Sequence, residues 1–355
     1  MDGIRYGRKK RGIKKELNKK ITEWIESIDD EDVRSLAYRN TIVTGGSIAS
    51  MLLGEPVNDF DVYFRDIDTA EAVSEYYVKA FNKAKEQKEA EKNKQQRASN
   101  EPLSVSYTPF VKRALYYKDS NTPLVDPYKH DRYEKEYESR MIKELDDDSA
   151  LEQRLMIWMQ SAGIAAEDQE DYQYFEMRSQ GELENFADSL GGDLANTNKP
   201  KYRPVFLSQN AITLSDKVQL VIRFYGEPEQ IHNNYDFAHA MNYYDYGNDE
   251  LVLKQEALEC LLSRTLIYRG SLYPVASVFR TKKFIERGWR ITAGEQLKMM
   301  WQISELDLTD FNTIREQMCG VDMAYMYELV QALKSVDPEK INSSYIAAII
   351  DRVFD

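Results

Sequence analysis

Apolar residues near the start of the chain recur at helical spacing and then give way to a short β-branched run. Leu17, Ile21 and Trp24 are separated by three or four residues, which predicts an amphipathic helix. A second short helix is predicted over residues 30–38. The β-branched residues 42–44 follow and favour a strand. The opening of the chain therefore predicts helix, helix, strand.

A pair of glycines joins this strand to the next predicted helix. Gly45, Gly46 and Ser47 precede the apolar segment 48–53, and the residues that end helices, Gly and Pro, follow within 54–56. Glycine has no Cβ, so a phosphate can approach the backbone N–H groups at a helix N-terminus of this kind. The pattern predicts a strand, a glycine turn and a short helix that could hold phosphate.

Polar and apolar residues alternate over residues 58–64, which predicts a strand with Asp59 and Asp61 on one face. Side chains two residues apart on a strand lie roughly 6 to 7 Å from each other. Two carboxylates at that distance can hold divalent cations for phosphoryl or nucleotidyl transfer, and Mg²⁺ prefers oxygen ligands. The acid pair is therefore a candidate metal site.

The Gly-Gly-Ser of residues 45–47 followed by the Asp-x-Asp of residues 59–61 resembles the nucleotidyltransferase superfamily of DNA polymerase β. The Leu-Leu-Gly of residues 52–54 is similar to the head domain of CCA-adding enzymes and bacterial poly(A) polymerases. This resemblance implies an α/β (α+β) nucleotidyltransferase head, with a small mixed sheet and helices on one face, followed by an all-helical C-terminal domain.

The same resemblance implies a reaction. A hydroxyl, of an RNA or tRNA 3′ end in the enzymes most similar to this chain, would attack the α-phosphate of a nucleoside triphosphate such as ATP. Asp59 and Asp61 would hold Mg²⁺ (or Mn²⁺), and Gly45, Gly46 and Ser47 would hold the triphosphate. Catalysis of this kind depends mostly on positioning and charge neutralisation.

Strands are predicted again at residues 203–207 and 212–224, and in the superfamily a strand of this kind carries a third catalytic carboxylate. The most similar position here is Gln219, an amide, which cannot supply that negative charge. Asp216 and Asp236 are the nearest substitutes. Asp236-Phe237 matches the segment that ends the head domain of CCA-adding enzymes, although Asn234 and Tyr235 replace its two arginines. Asp236 could instead cap a helix.

Residues 274–289 loosely resemble the neck helix of CCA-adding enzymes. Five cations near this helix form one predicted basic cluster: Arg280, Lys282, Lys283, Arg287 and Arg290. Such a cluster suits phosphate, and by the resemblance Arg280 or Lys283 would contact the base or phosphate of the nucleotide. Ordinary charge on a helix surface is the alternative interpretation.

The 355 residues carry a net charge of −13, which argues against general nucleic-acid coating, but the cations are concentrated. Residues 1–20 form a basic arm that could follow an RNA or tRNA backbone, or else a solvated tail. No apolar run approaches a membrane span and no secretory signal is present, so we expect cytoplasmic residence and no membrane partner. Two Cys and three His make a zinc site improbable.

The middle of the chain is acidic. We expect short packed helices within residues 107–200, as an insertion that binds a protein partner or simply decorates the head. A long helix capped by Asp68 or Thr69 precedes it, and further helices are expected to begin at Asp307 or Thr309 and near residues 337–342. The predicted divisions are an arm with helices (1–40), the head (41–106 and 201–253), the insertion (107–200) and a helical domain (254–355).

Three classes of function compete. The neck-like segment and basic arm favour an RNA or tRNA nucleotidyltransferase, and the overall acidity favours nucleotidyl modification of a protein or small molecule. Gln219 favours a binding protein that has the nucleotidyltransferase fold but no catalytic activity. Residues 210–224 and 234–246 also resemble uncharacterised proteins of large tailed phages, which would place the protein in a host cytoplasm or in association with a virion.

Overall fold

The computed structural model describes residues 7–96, 107–118, 150–161 and 201–308, with positions 124, 140, 141, 313, 314, 317 and 348. The chain divides into two compact units. The first comprises residues 1–172, 198–233 and 242–253, and the second comprises residues 173–197, 234–241 and 254–355. The first unit has its last stretch at residues 242–253, and residues 234–241 belong to the second unit.

The first unit is built on a seven-stranded sheet with the order β5-β6-β7-β2-β1-β8-β9. Its strands are β1 (Thr41–Thr44), β2 (Phe60–Phe64), β5 (Pro204–Leu207), β6 (Ala211–Leu214), β7 (Val218–Tyr225), β8 (Tyr243–Asp245) and β9 (Glu250–Val252). The β2–β7 pair is parallel and the other pairs are antiparallel. The expected mixed sheet of an α+β fold is therefore present.

The first unit also contains helices. They are α1 (Lys10–Glu26), α2 (Glu31–Asn40), α3 (Gly46–Leu53), α4 (Ile67–Gln96) and α5 (Pro228–His232). The α2 helix begins where predicted, and the Asp30 side chain accepts hydrogen bonds from the first-turn N–H groups. The predicted cap of α4 was wrong: Asp66 accepts from the Thr69 N–H at 2.7 Å, and the helix begins at Ile67, before Asp68 and Thr69.

The alternation of strand residues explains which face of the sheet the helices cover. The aligned residues Val43, Val62 and Leu220 belong to the main core together with the apolar stripe of α1. The next aligned row, Thr44, Asp61 and Gln219, therefore points to the opposite face. Because side chains alternate along each strand, one face of the sheet packs against the helices and the other face is polar at this end of the sheet.

Two elements differ from the sequence-based expectation. The predicted strand 212–224 is a hairpin, because Asp216 and Lys217 adopt positive φ values of 65° and 62° and turn the chain between β6 and β7. The apolar residues expected to form short helices in the acidic insertion instead form β4 (Leu151–Ser161), which pairs with β3 (Tyr107–Tyr117). β-branched and aromatic residues such as Ile157 and Trp158 suit that ladder.

The second unit contains the helices α6 (Gln255–Ser263), α7 (Pro274–Glu286) and α8 (Ala293–Ser304). It also contains the short parallel strands β10 (Thr265–Leu266) and β11 (Arg290–Ile291), so it is not all-helical. His239 packs in its core, 4.6 Å from the Phe284 ring and 4.7 Å from the Trp289 ring, and burial lowers the pKa of His239 to about 4. The helix expected to begin at Asp307 or Thr309 and the helix expected near residues 337–342 fall mostly outside the described residues.

Within the described residues, no helix combines the length and the apolar character that crossing a bilayer requires.

Candidate functional site

The glycine turn is held in a conformation that only glycine adopts readily. Gly45 has φ 97° and ψ −154° and precedes α3, whose first residue is Gly46. A Cβ added to Gly45 would lie 2.6 Å from an Asp61 carboxylate oxygen, whereas a Cβ on Gly46 would meet nothing within 4 Å. The turn therefore accommodates the Asp61 carboxylate on one side and leaves open space at the start of the helix.

The two acids enter from β2. Asp61 is the second residue of the strand and Asp59 immediately precedes it, because the strand begins two residues later than the predicted range 58–64. The Gly-Gly-Ser and Asp-x-Asp motifs, which are separated by a helix in sequence, thus meet at one end of the sheet. Among the described residues, no Lys or Arg forms an ion pair with either carboxylate.

The acid pair is electrostatically unfavourable without a cation. Burial, followed by the charge of Asp59, raises the pKa of Asp61 to about 8. Burial also raises the pKa of Asp59, against the opposing effects of its own backbone hydrogen bond and the Lys217 charge. Both shifts disfavour ionisation because desolvation and like charge destabilise a carboxylate. A bound divalent cation would reverse both effects.

Ser47 places a second unsatisfied group beside the turn. Only 2% of the residue is exposed, and its hydroxyl oxygen is buried with no hydrogen-bond partner among the described residues. A buried hydroxyl without a partner costs on the order of 1–3 kcal/mol. Its position in the first turn of α3, where backbone N–H groups point outward, suits a hydrogen bond to a phosphate.

The register of β2 and β7 places Gln219 directly beside Asp61 on the neighbouring parallel strand. Paired residues in a parallel ladder project to the same face, so Gln219 lies where a third acid would complete the set. Asp216, considered as a substitute, pairs instead with Lys20 at 2.8 Å and Lys201 at 3.3 Å.

The other predicted site residues belong to the second unit. Arg280 donates to the Asp236 carboxylate, and the Ser277 hydroxyl donates to the same carboxylate at 3.0 Å. Asp236 and Arg280, which were assigned separate roles in catalysis and nucleotide binding, therefore bind each other. Lys283 is exposed on α7, and Asp236 does not cap a helix.

Two contributors to the site were missed in the sequence. Thr44 is aligned with Asp61, donates to the Asn242 carbonyl at 2.9 Å and lies 2.8 Å from the buried His232 Nε2. Lys217, whose charge opposes the pKa shift of Asp59, is fixed by donation to the Val57 carbonyl at 2.9 Å. Neither has a sequence signal, because both depend on strand pairing.

The two carboxylates suit a metal ion that is bound jointly by the protein and by the phosphates of a substrate. In the described part of the chain, no three His, Cys, Asp or Glu side chains form a metal-binding group. Mg²⁺ is commonly bound by one or two carboxylates together with substrate phosphates and water. Asp59 and Asp61 supply the two carboxylates, and the glycine turn supplies room for phosphate.

The fold and site define an α+β protein with an acid pair facing a glycine turn at the start of a helix. The sequence model of the Gabija anti-defense 2 family matches residues 15–264, a range that contains the acid pair, the turn and the whole seven-stranded sheet. The chain belongs to the Gabija anti-defense 2 family.

A curated relative is Gabija anti-defense 2 of Bacillus phage SPbetaL7. It is 22% identical to this chain over 141 residues, which cover 39% of this chain and 34% of the relative. The chain thus spans about a third of the length of that relative. No solved structure matches the chain. The nucleotidyltransferase assignment stays a prediction from the sequence.

Proposed function

We propose that this protein is a phage counter-defence protein that acts against Gabija in the host cytoplasm, and that it does so as a metal-dependent nucleotidyltransferase. The name of its family supports the biological role. The observation that supports the chemical role is the close approach of the glycine turn to Asp61, whose carboxylate oxygen lies 2.6 Å from where a Cβ of residue 45 would be.

Each residue has a role in the proposed reaction. Asp59 and Asp61 hold the divalent cation, which when bound neutralises phosphate charge. The N–H groups at the start of α3 and the Ser47 hydroxyl hold the triphosphate, with Gly46 leaving room for its approach. The acceptor hydroxyl forms a bond to the α-phosphorus, pyrophosphate leaves, and the hydroxyl proton passes to solvent because Gln219 is not a base. We favour an RNA 3′ end as acceptor because α1 is basic.

The chemical proposal is tested by titrating the protein with each nucleoside triphosphate and Mg²⁺, and by following pyrophosphate release with and without RNA. Asp59→Asn and Asp61→Asn should each weaken metal-dependent nucleotide binding at least about tenfold, since each removes a charged ligand. Asp29→Asn, at an exposed position of the same unit, is the matched control. Unchanged affinity in both site variants would refute the metal assignment. Transfer of the nucleotide to protein instead of RNA would show that the acceptor is a protein.

The biological proposal is tested in cells that carry Gabija and are infected with a phage that Gabija restricts. Expression of the wild-type protein should restore plaque formation, and Asp61→Asn should not. No restoration by the wild type would contradict the counter-defence role.

A second function, nucleotide or partner binding without turnover, is favoured by one observation: Gln219 is aligned with Asp61 where the third acid is expected. Loss of a general base typically slows a reaction about 10²- to 10⁴-fold. A silent wild type in which Gln219→Asp or Gln219→Glu produces transfer would support this reading. Robust wild-type transfer that Gln219→Asp reduces would contradict it, and plaque restoration by Asp61→Asn would show that counter-defence needs no transfer.

A further inference from the structure

A groove of about 540 Å³ runs beside α1 in the first unit, on the helix-covered side of the sheet. Four lysines line it: Lys15, Lys19, Lys20 and Lys201. Phe60 forms part of its wall, and the Lys20 ammonium lies 5.5 Å from the centre of that ring. The volume is that of an ordinary ligand site.

The acids in the groove each pair with a cation, and two of these cations, Lys20 and Lys201, are themselves groove lysines, so the positive charge left for an incoming anion comes mainly from Lys15 and Lys19. The pairs are Glu16 with Arg8, Glu23 with Lys201 at 2.7 Å, and Asp216 with Lys20 at 2.8 Å. Lys15 and Lys19 are exposed at the mouth of the groove. Lys15 has no ion pair in the described part of the chain, and Lys19 reaches Glu23 only at 3.8 Å.

The charge around the groove is opposite to that of the whole molecule. Residues 8–20 carry eight Lys or Arg and one acid, within a chain of net charge −13. The α1 residues buried on the sheet are apolar, and four cations of this helix are exposed: Lys10, Arg11, Lys15 and Lys19. Several exposed cations on one helix attract a chain of phosphates more strongly than a single phosphate, since each contact releases a counterion.

The groove also adjoins the acid pair. Phe60 lies between Asp59 and Asp61 in sequence and is the first residue of β2. Its side chain points towards α1 while that of Asp61 points to the polar face, so the groove and the acids occupy the two sides of the same strand end.

We propose that this lysine groove binds the phosphate backbone of a nucleic-acid strand. In a step that rests on the proposed function, the strand bound there is the acceptor, held so that its 3′ end passes around the start of β2 to the acid pair. RNA and DNA share the backbone chemistry, and the experiment separates them.

The test measures fluorescence anisotropy of labelled single-stranded RNA and DNA 12-mers with the full chain at several salt concentrations. The double substitution Lys15→Ala and Lys19→Ala should weaken binding roughly tenfold and reduce the salt slope by about 1.4, since each lost contact to a single strand accounts for about 0.7. Alanine preserves the helix. The matched control, Lys79→Ala with Lys83→Ala on the exposed side of α4, should change neither quantity.

Two outcomes would overturn the groove as a nucleic-acid site. Binding that the Lys15/Lys19 substitutions leave unchanged, or no wild-type binding at low salt, removes the groove as a nucleic-acid site. Competition by inorganic phosphate at a similar phosphate concentration makes it a small-anion site instead. Asp61→Asn separates this proposal from the proposed function: it should weaken metal-dependent nucleotide binding at least about tenfold and leave oligonucleotide affinity intact. A protein that binds oligonucleotide but never binds triphosphate would refute the proposed function and leave the groove standing.

Discussion

The surroundings of Asp61 favour the binding of a cation. Its carboxylate occupies the space that a Cβ at Gly45 would need, has Asp59 nearby, and forms no ion pair with a cation of the described chain. A structural carboxylate in such a place would usually be paired, because an unpaired buried charge is costly. Protonation relieves that cost in the free protein, and a metal ion would relieve it in the loaded protein.

The raised pKa of Asp61 predicts a pH dependence of stability with a definite sign. The unfolded carboxylate loses its proton near pH 4, whereas the folded one keeps it up to about pH 8. Between these values the unfolded state binds fewer protons, so the free energy of unfolding falls as pH rises, by up to about 1.4 kcal/mol per pH unit. Urea denaturation of metal-free protein from pH 4.5 to 8 should show this fall in the wild type and a smaller one in Asp61→Asn.

Metal should reverse that trend, because it binds only the ionised carboxylates. Mg²⁺ with nucleotide should raise the melting temperature more at pH 8 than at pH 6. Identical pH slopes in the wild type and Asp61→Asn would contradict the pKa assignment.

At the scale of elements, the site depends on how β1, α3 and β2 are joined. The glycine turn must bring the chain from β1 into α3 while the second residue of β2 packs against it. The two glycines have different tasks. Gly45 supplies a backbone conformation and a close approach, whereas Gly46 occupies a helical position with open space around it.

Alanine substitutions should therefore separate folding from binding. Gly45→Ala should lower the free energy of unfolding by about 1–3 kcal/mol, through backbone strain and the clash with Asp61. Gly46→Ala should leave stability unchanged or raise it by up to about 1 kcal/mol, since alanine favours a helix. If triphosphate approaches this backbone, Gly46→Ala should nevertheless weaken nucleotide affinity. Denaturation curves and nucleotide titrations of both variants check this, and equal losses of stability would contradict it.

At the scale of the whole molecule, the residues first grouped as one site divide between two units. Asp236 and Arg280 form a partly buried ion pair within the second unit, with 13% and 33% of their side chains exposed. Ser277 completes the arrangement. This contact joins the segment 234–241 to α7, and it gives Asp236 a structural task that the sequence motif did not indicate.

Asp236→Asn should consequently lower the stability of the protein and leave its proposed catalysis intact. Removing one partner of the pair should cost about 1–3 kcal/mol, less than the roughly 3–5 kcal/mol of a fully buried pair. Arg280→Gln should lower the free energy of unfolding by a similar amount. The double variant should lower it by less than the sum of the two, because the first substitution already removes the ion pair. Thermal denaturation checks the stability, and pyrophosphate release should persist in Asp236→Asn at a temperature where it is folded. A stable but inactive Asp236→Asn would instead assign Asp236 to catalysis.

Local patterns in the sequence determined much of the first unit. Helical spacing predicted α1, and the sequence also indicated a short helix at 30–38, where α2 lies, and a β-branched strand at 42–44, where β1 lies. The acid pair and the glycine turn were also visible, because a strand of period two and a helix stop are local features. The same local reasoning missed the β6–β7 turn, since a positive φ at Asp216 and Lys217 has no glycine to mark it.

Only the tertiary structure decided which of the candidate residues meet. Strand register put Gln219 and Thr44 on either side of Asp61, and the division into units put Asp236 with Arg280. It also turned the cations of α1 into one wall of a groove that Lys201 completes from a distant part of the sequence. These contacts join positions tens to hundreds of residues apart, and their geometry follows from strand pairing and packing, which no local periodicity encodes.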